Sequence, residues 1–247
     1  MSEAAPAFLA IDAGNTRIKW AVHDGIAWTR AGSLATAESA RLAGAWAELP
    51  PVAQAAACSV ARDDVFRDVA RACETRGVPL LRDESRPAQL GVVNGYRDPG
   101  QLGADRWAAL VAAHAAGEGH KLVANAGTAL TIDALAADGR FLGGMIVPGP
   151  SLMRRALSGG TARLPMEDGP FEEFPTSTAA AIASGARQAC VGAVQRMRHA
   201  MTERGMAPAH VLLSGGAAGE IAPLLPMPFT MHENLVLDGL LLIARNS

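Results

Sequence analysis

One pattern is written twice in this chain. Residues 8–20, FLAIDAGNTRIKW, read as a short apolar strand, a tight turn at Gly14 and Asn15, and a second strand. From Lys121 the order returns in KLVANAGTALTIDALAADGRFLGG: an apolar strand, a glycine turn, a strand, an Asp-Gly turn and a third strand. Asp12 falls on Asn125 and Gly14 on Gly127 at one common offset, and Asp24-Gly25 answers Asp138-Gly139 with one residue inserted. Two copies of a three-stranded meander, each followed by helices and strands, predict two related α/β domains with a cleft between their facing turns. The boundary is expected where an alanine-rich segment ends at Gly117, giving domains 1–117 and 118–247.

The turn itself carries chemistry. Asp12 stands where a buried strand surfaces, and a carboxylate there is costly without a cation, water or donors. Asn15, Thr16, Arg17 and Lys19 supply donors, so the stretch can hold a metal and phosphates. An ordinary hairpin turn has the same letters, and only the repetition favours the phosphate reading. Glycine at 14 and 127 lets backbone approach a phosphate closely, and Thr16, Thr128 and Thr131 add hydroxyls, which points to a nucleotide phosphate chain.

Composition narrows the rest. At 247 residues with a formal net charge of −2 and no run of Lys and Arg, the chain has no electrostatic footprint for nucleic acid. Cys58, Cys73 and Cys190 are odd in number and widely spaced, which argues against a disulfide framework or a structural zinc site and fits a reducing cytoplasm. The six histidines are dispersed without ligand-like spacing. The early apolar run stops at Asp12, too soon for a signal-peptide core or a membrane span, so neither export nor a membrane partner is expected.

Between the repeats, 36–49 reads as a helix with Leu42, Trp46 and Leu49 on one face, 52–60 as a strand, 63–77 as a helix closed by glycine, and 78–81 as a strand. A loop with Tyr96 leads into the helix that ends at Gly117, with Asp98 before Pro99 in the form of an N-cap. Asp105 and Arg106 lie near that helix's amino-terminal end; Asp105 can be a second cap or an acid in its own right, Arg106 can lie along the surface, and Trp107 suits packing. Residues 149–169 read as a loop-rich stretch with a short helix at 152–157. Thr176 is the expected cap of a long helix reaching about 204. HVLLSGGAAGEI, 210–221, gives a strand, a double glycine and a helix start, suited to close passage of a flat or phosphate-bearing ligand. Neither GxGxxG nor GxxxxGK[ST] occurs, and NLVLDGLLLIA closes the chain as a core helix with Asp238 exposed.

Taken together, DAGNTRIK at 12–19, NGY with GADR within 94–106, AGTALTID at 126–133, Thr178 and LLSGGA at 212–217 resemble the type III pantothenate kinases, within the actin, sugar-kinase and heat-shock ATPase superfamily. The resemblance covers nearly the whole length and implies two duplicated ribonuclease-H-like domains, mixed sheets flanked by helices, with the active site in the interdomain cleft. It implies phosphorylation of the primary hydroxyl of pantothenate by ATP with Mg²⁺, the first step of coenzyme A biosynthesis. By resemblance, Asp12, Ala13, Gly14, Asn15, Thr16, Arg17, Ile18 and Lys19, with Thr128, would contact the ATP phosphates, Asp12 would hold the Mg²⁺, and Gly215 and Gly216 would lie against the adenosine. Tyr96, Gly103, Ala104, Asp105, Arg106 and Thr178 would surround pantothenate, with Asp105 as base and Arg106 either stabilising transferred charge or binding the substrate carboxylate.

One position departs from the family: its second phosphate stretch carries an acid, DxGTA, where this chain has Asn125. That acid helps relatives hold a monovalent cation, so binding of K⁺ or NH₄⁺ here is expected through different ligands, more weakly, or not at all. Relatives are homodimers built through the second domain, and the helix around 178–200 can supply that surface or serve as a buried intramolecular helix. The duplicated turns alone do not name the acceptor, which leaves sugar or carboxylate kinases of the same superfamily, or an ATP-binding regulator, as competing readings.

Overall fold

In the computed structural model, residues 7–160 and 169–247 are described. They fall into two compact units, one reaching to Ala116 and including Leu235–Ser247, the other spanning Gly117–Asn234.

In the first unit β1 (Phe8–Ala13), β2 (Arg17–His23) and β3 (Trp28–Ala35) form an antiparallel meander. A 3-10 turn at Thr36–Arg41 and α1 (Leu42–Ala45) lead to β4 (Gln54–Ser59), which lies parallel to β1, and α2 (Asp63–Thr75) leads to β5 (Leu80–Arg82), parallel to β4. The sheet order is β3-β2-β1-β4-β5. The central strands are covered on both faces, which is why β1 is an unbroken apolar run and the middle of β4 is the small-residue string Ala55-Ala56-Ala57-Cys58, all 0 % exposed. Trp20 and Trp46 meet edge to face at 5.9 Å in this core. At the end of α2 the chain reverses through Gly77, whose φ of +65° suits glycine, while the Val78 amide bonds back to the Cys73 carbonyl at 3.0 Å. A small antiparallel pair, β6 (Ala88–Gln89) and β7 (Val92–Val93), and a 3-10 turn at Pro99–Gln101 precede α3 (Ala104–Ala115). As expected, Asp98 caps that turn, accepting from the Gly100 amide at 3.1 Å.

The second unit repeats the plan. β8 (Lys121–Ala126), β9 (Ala129–Leu135) and β10 (Phe141–Pro148) form the meander, and α4 (Pro150–Gly160) and α5 (Thr178–Glu203) follow. β11 (Val211–Ser214), α6 (Ala218–Ile221), a 3-10 turn at Ala222–Leu224 and β12 (Phe229–Met231) complete it. Sheet order is β10-β9-β8-β11-β12, the order of the first sheet, with β11 parallel to β8 and β12 parallel to β11. Both units are thus mixed sheets with helices. β1 and β8 bury the same positions, leaving only the fifth residue, Asp12 or Asn125, half-buried. In each unit the residue after the third strand ties down the glycine turn: the Thr36 amide donates to the Thr16 carbonyl at 2.9 Å, and the Gly149 amide to the Thr128 carbonyl at 2.8 Å.

Several sequence expectations shift in the structure. The final helix α7 (Leu235–Arg245), placed by sequence in a 118–247 domain, packs on α3 in the first unit. Asp238 is half-buried rather than exposed, because its Oδ1 accepts from Trp28 Nε1 at 2.8 Å. The helix expected at 36–49 is instead a 3-10 turn followed by the short α1, with non-helical backbone at Glu38. The cap of α5 is Ser177, whose hydroxyl accepts from the Ala180 amide at 3.2 Å; the Thr176 amide is engaged by Glu172. The short helix expected at 152–157 is the longer α4, and the part of the 149–169 stretch at 161–168 lies outside the described residues. Among the described residues no helix is long and apolar enough to cross a membrane.

Helices α3 and α7 meet where Gly239 has no side chain. A Cβ there would come within 2.5 Å of the Ala108 carbonyl carbon and closer still to its oxygen, and backbone cannot retreat as a flexible side chain can. Gly239→Ala is expected to lose about 2 kcal/mol or more, whereas Gly44→Ala, at an exposed position of α1 where a Cβ meets nothing within 4 Å, should be neutral or gain about 0.5–1 kcal/mol. Denaturant titration of the two variants checks the contrast.

Candidate active site

The parallel strands β1, β4 and β5 end at one edge of the first sheet, the edge where α/β sheets place ligands. Register sets Asp12 beside Cys58 across β1 and β4. The Asp83 amide, one residue past β5, bonds the Ala57 carbonyl at 2.8 Å, which brings Asp83 alongside Cys58. Above this row the first turn of α3 supplies Asp105. Two of the acids thus come from strand ends and one from a helix start.

The charges act on one another. Burial and the nearby Asp105 carboxylate push Asp12 from the ordinary 3.8 to about 6, opposed by Lys19, its cross-strand partner. Burial also raises Asp105, against the pull of the Arg106 amide and charge. Its Oδ1 accepts from that amide at 2.8 Å, and Gly103 makes the room, since a Cβ at 103 would stand 2.6 Å from the same oxygen. The Cys58 thiol donates to Asp12 Oδ1 at 3.7 Å; burial and the charges of Asp12, Asp105 and Asp83 push it well up, so it remains a thiol and a donor rather than a nucleophile. Arg106 does not lie along the surface. It is 5 % exposed, its Nη1 donates to Tyr96 Oη at 2.9 Å, and its guanidinium stands 5.6 Å from the centre of the Tyr96 ring.

A desolvated Asp12 with a second carboxylate in electrostatic reach would gain from a nearby cation, which would lower the cost of its charge. Among the described residues no group of three or more His, Cys, Asp and Glu could hold a metal. A single carboxylate such as Asp12 still suits Mg²⁺, which keeps several waters and binds through one or two carboxylates plus substrate phosphates. Asn15, Thr16, Arg17 and Lys19 are exposed at the turn, whereas Ala13 and Ile18 are 0 % exposed and have only backbone to offer a ligand. Gly14 is bonded within the turn to the Arg17 carbonyl at 3.0 Å, and its own carbonyl accepts from the Thr36 hydroxyl at 2.7 Å. Ala104 is buried in the first turn of α3.

In the second unit Asn125, Thr128 and Gly215 gather at the corresponding edge. Ser214 pairs with Asn125, and Gly215, at φ +97°, packs so closely on this strand end that a Cβ would stand 2.5 Å from Asn125 Oδ1. Glycine at 215 is therefore demanded by the protein's own packing, while Gly216 has open space around it. Thr128 is exposed, as is Thr178 in the first turn of α5.

The sequence profile of type III pantothenate kinases matches residues 8–200. The type III pantothenate kinase of Aromatoleum aromaticum is 46 % identical over 237 residues, covering 96 % of this chain and 97 % of its own. That of Acidovorax ebreus is 45 % identical over 254 residues, covering 96 % of each. The chain belongs to the type III pantothenate kinase family. Its fold is shared with sugar kinases: a ROK family glucokinase from Streptomyces griseus, solved with glucose and AMPPNP, superimposes with a TM-score of 0.54 at 13 % identity, covering 98 % of this chain and all of the other.

Three members of this site escaped the reading of the sequence. Asp83 comes one residue past the short strand Leu80–Arg82, and the logic of an acid where a strand surfaces could have found it. Cys58 carries no such signal, and Asn94, though it opens the NGY stretch, draws no role from it, because the partners of both are set by strand register and loop path. Asp83 is 1 % exposed and, among the described residues, neither carboxylate oxygen has a hydrogen-bond partner, though the nearby Glu84 amide favours the charged form. Burial outweighs this and the attraction of Arg86, and raises Asp83 from 3.8 to about 7.

Asp12 and Asp83 therefore hold protons to higher pH in the folded chain than in the unfolded one. Folding takes up protons between about pH 4 and 7, so their contribution is fullest below the unfolded value and is lost as pH rises through the folded one. Asp83→Asn removes one of these titrations. Its melting temperature relative to the parent chain should be higher at pH 8 than at pH 5, by about 2–4 °C per kcal/mol regained; an equal difference at both pH values would contradict the assignment.

Proposed function

We propose that this protein transfers the γ-phosphoryl group of ATP to the primary hydroxyl of pantothenate, giving 4'-phosphopantothenate and ADP, the first step of coenzyme A biosynthesis. The observation that carries the reading is the placement of Asp105 at the start of α3, within electrostatic reach of Asp12, in a chain of this family. Asp105 orients the acceptor hydroxyl and takes its proton as the new O–P bond forms and the bond from the γ-phosphorus to the ADP oxygen breaks. The Arg106 amide at Oδ1 steadies the carboxylate in its ionised form. Tyr96, Gly103, Ala104 and Arg106 are the first unit's residues for the acceptor, and Thr178 is assigned to it on the family resemblance.

Asp12 is the residue to hold Mg²⁺, which when bound neutralises phosphate charge. Gly14 and the exposed donors Asn15, Thr16, Arg17 and Lys19, with Thr128, bind the phosphates, and Gly215 and Gly216 receive the adenosine. Asn125 offers a carbonyl but no negative charge, so a monovalent cation, K⁺ or NH₄⁺, is held weakly here. The chain works in the cytoplasm, to which its three buried free cysteines are suited, and cell fractionation tests that placement.

Release of ADP from purified protein with Mg-ATP should require pantothenate and fall by about 10²–10⁴-fold in Asp105→Asn, with the fold intact by circular dichroism. Added K⁺ or NH₄⁺ should stimulate only at high concentration. Turnover with a sugar or another carboxylate in place of pantothenate would overturn the acceptor.

A homodimer forms through the second unit, where Leu142 and Ile146 of the edge strand β10 are exposed. Sedimentation should give twice the 25.5 kDa chain mass, and Ile146→Lys should shift it toward the monomer.

A further inference from the structure

The Tyr96 loop has little regular structure to hold it. β7 is two residues long, and between it and the turn at Pro99 the chain has no ladder of its own. Asn94 takes that place. It is 9 % exposed, and its backbone amide bonds the Pro87 carbonyl at 2.9 Å. Its side-chain nitrogen lies 3.0 Å from Ser85 Oγ, 3.2 Å from the Arg86 carbonyl and 3.2 Å from the Pro99 carbonyl. Its Oδ1 accepts from the Tyr96 amide at 3.0 Å.

An amide has two N–H donors, so three acceptors share them and the group is fully engaged. Its orientation follows: reversing it would set the oxygen against two carbonyls and a nitrogen against the Tyr96 N–H. One side chain thus joins three segments, the stretch leaving β5, the turn before α3, and the residue that meets Arg106. Aspartate would keep the acceptor but lose both donors, serine falls short, and glutamine is a methylene too long.

We propose that Asn94 is a positioning residue for the acceptor side: it fixes Tyr96, and through the Tyr96–Arg106 hydrogen bond it fixes the guanidinium that flanks Asp105. What Tyr96 is positioned to bind rests on the pantothenate reading above. That it is positioned by Asn94 does not.

The chain has a single tyrosine, so ring-labelled tyrosine gives an NMR signal that reports Tyr96 alone. In Asn94→Ala that signal should shift and broaden, KM for pantothenate should rise about tenfold or more, the energetic equivalent of one hydrogen bond, and KM for ATP should stay within about twofold. Should the alanine variant fail to fold, Asn94→Asp, similar in size but without N–H donors, is read in the same way. An unchanged tyrosine signal would overturn the proposal, as would equal rises in both KM values accompanied by a lower melting temperature, the mark of general loosening. A moved signal in a protein whose parent chain does not turn over pantothenate would leave the positioning role standing and remove the acceptor.

Discussion

Parallel pairing of β1, β4 and β5 is the constraint on which the rest depends. Parallel neighbours need crossovers, and the central strands β1 and β4 lie buried on both faces, so their side chains must be apolar or small. β4 meets that demand with three alanines and a cysteine, and β1 with Leu9, Ala10 and Ile11. The same pairing aligns the strand ends, so Asp12 and Asp83 come to lie around Cys58. Their burial is a standing cost in the protein without ligands. A site made of carboxylates that resist ionising is one that a cation and its phosphates stabilise.

The second unit reaches the same geometry with different charges. Asn125 replaces Asp12 at the equivalent strand position, and Thr131 stands opposite it where Lys19 stands opposite Asp12. An acid paired with a base in one copy is an amide paired with a hydroxyl in the other. Both turns are nonetheless held by the same bond, from the first amide after the third strand to the threonine carbonyl of the turn. In the first unit a threonine can make it. In the second only glycine fits, since a Cβ at Gly149 would press into the Gly127 carbonyl and stand 2.9 Å from the Thr128 oxygen. Duplication has preserved the path of the backbone and released the side chains.

Elsewhere small groups decide large contacts. Gly239 lets α7 lie on the backbone of α3, the helix that carries Asp105 and Arg106. Trp28 reaches Asp238 on the same α7, so the third strand of the meander and the closing helix are linked by a single hydrogen bond at 2.8 Å. The helix bearing the proposed base is thus supported by α7 at Ala108, one turn on from Asp105.

The sequence by itself determined the strand–turn–strand repeat, the α/β class, the cap at Asp98 and an acid, Asp12, where the first strand surfaces, because each is written in neighbouring residues: apolar runs, glycine punctuation and polar side chains a few positions apart. It missed the break in the helix expected at 36–49, the cap at Ser177, and the return of α7 to the first unit. Only the tertiary structure decided which strand ends meet, and with them the row of Asp12, Cys58 and Asp83, the burial of Arg106 against Tyr96, and the reach of Asn94 to three segments. Those depend on register and on loop paths between residues distant in the chain, where a shift of one position would exchange the faces of a strand and no local pattern records the choice.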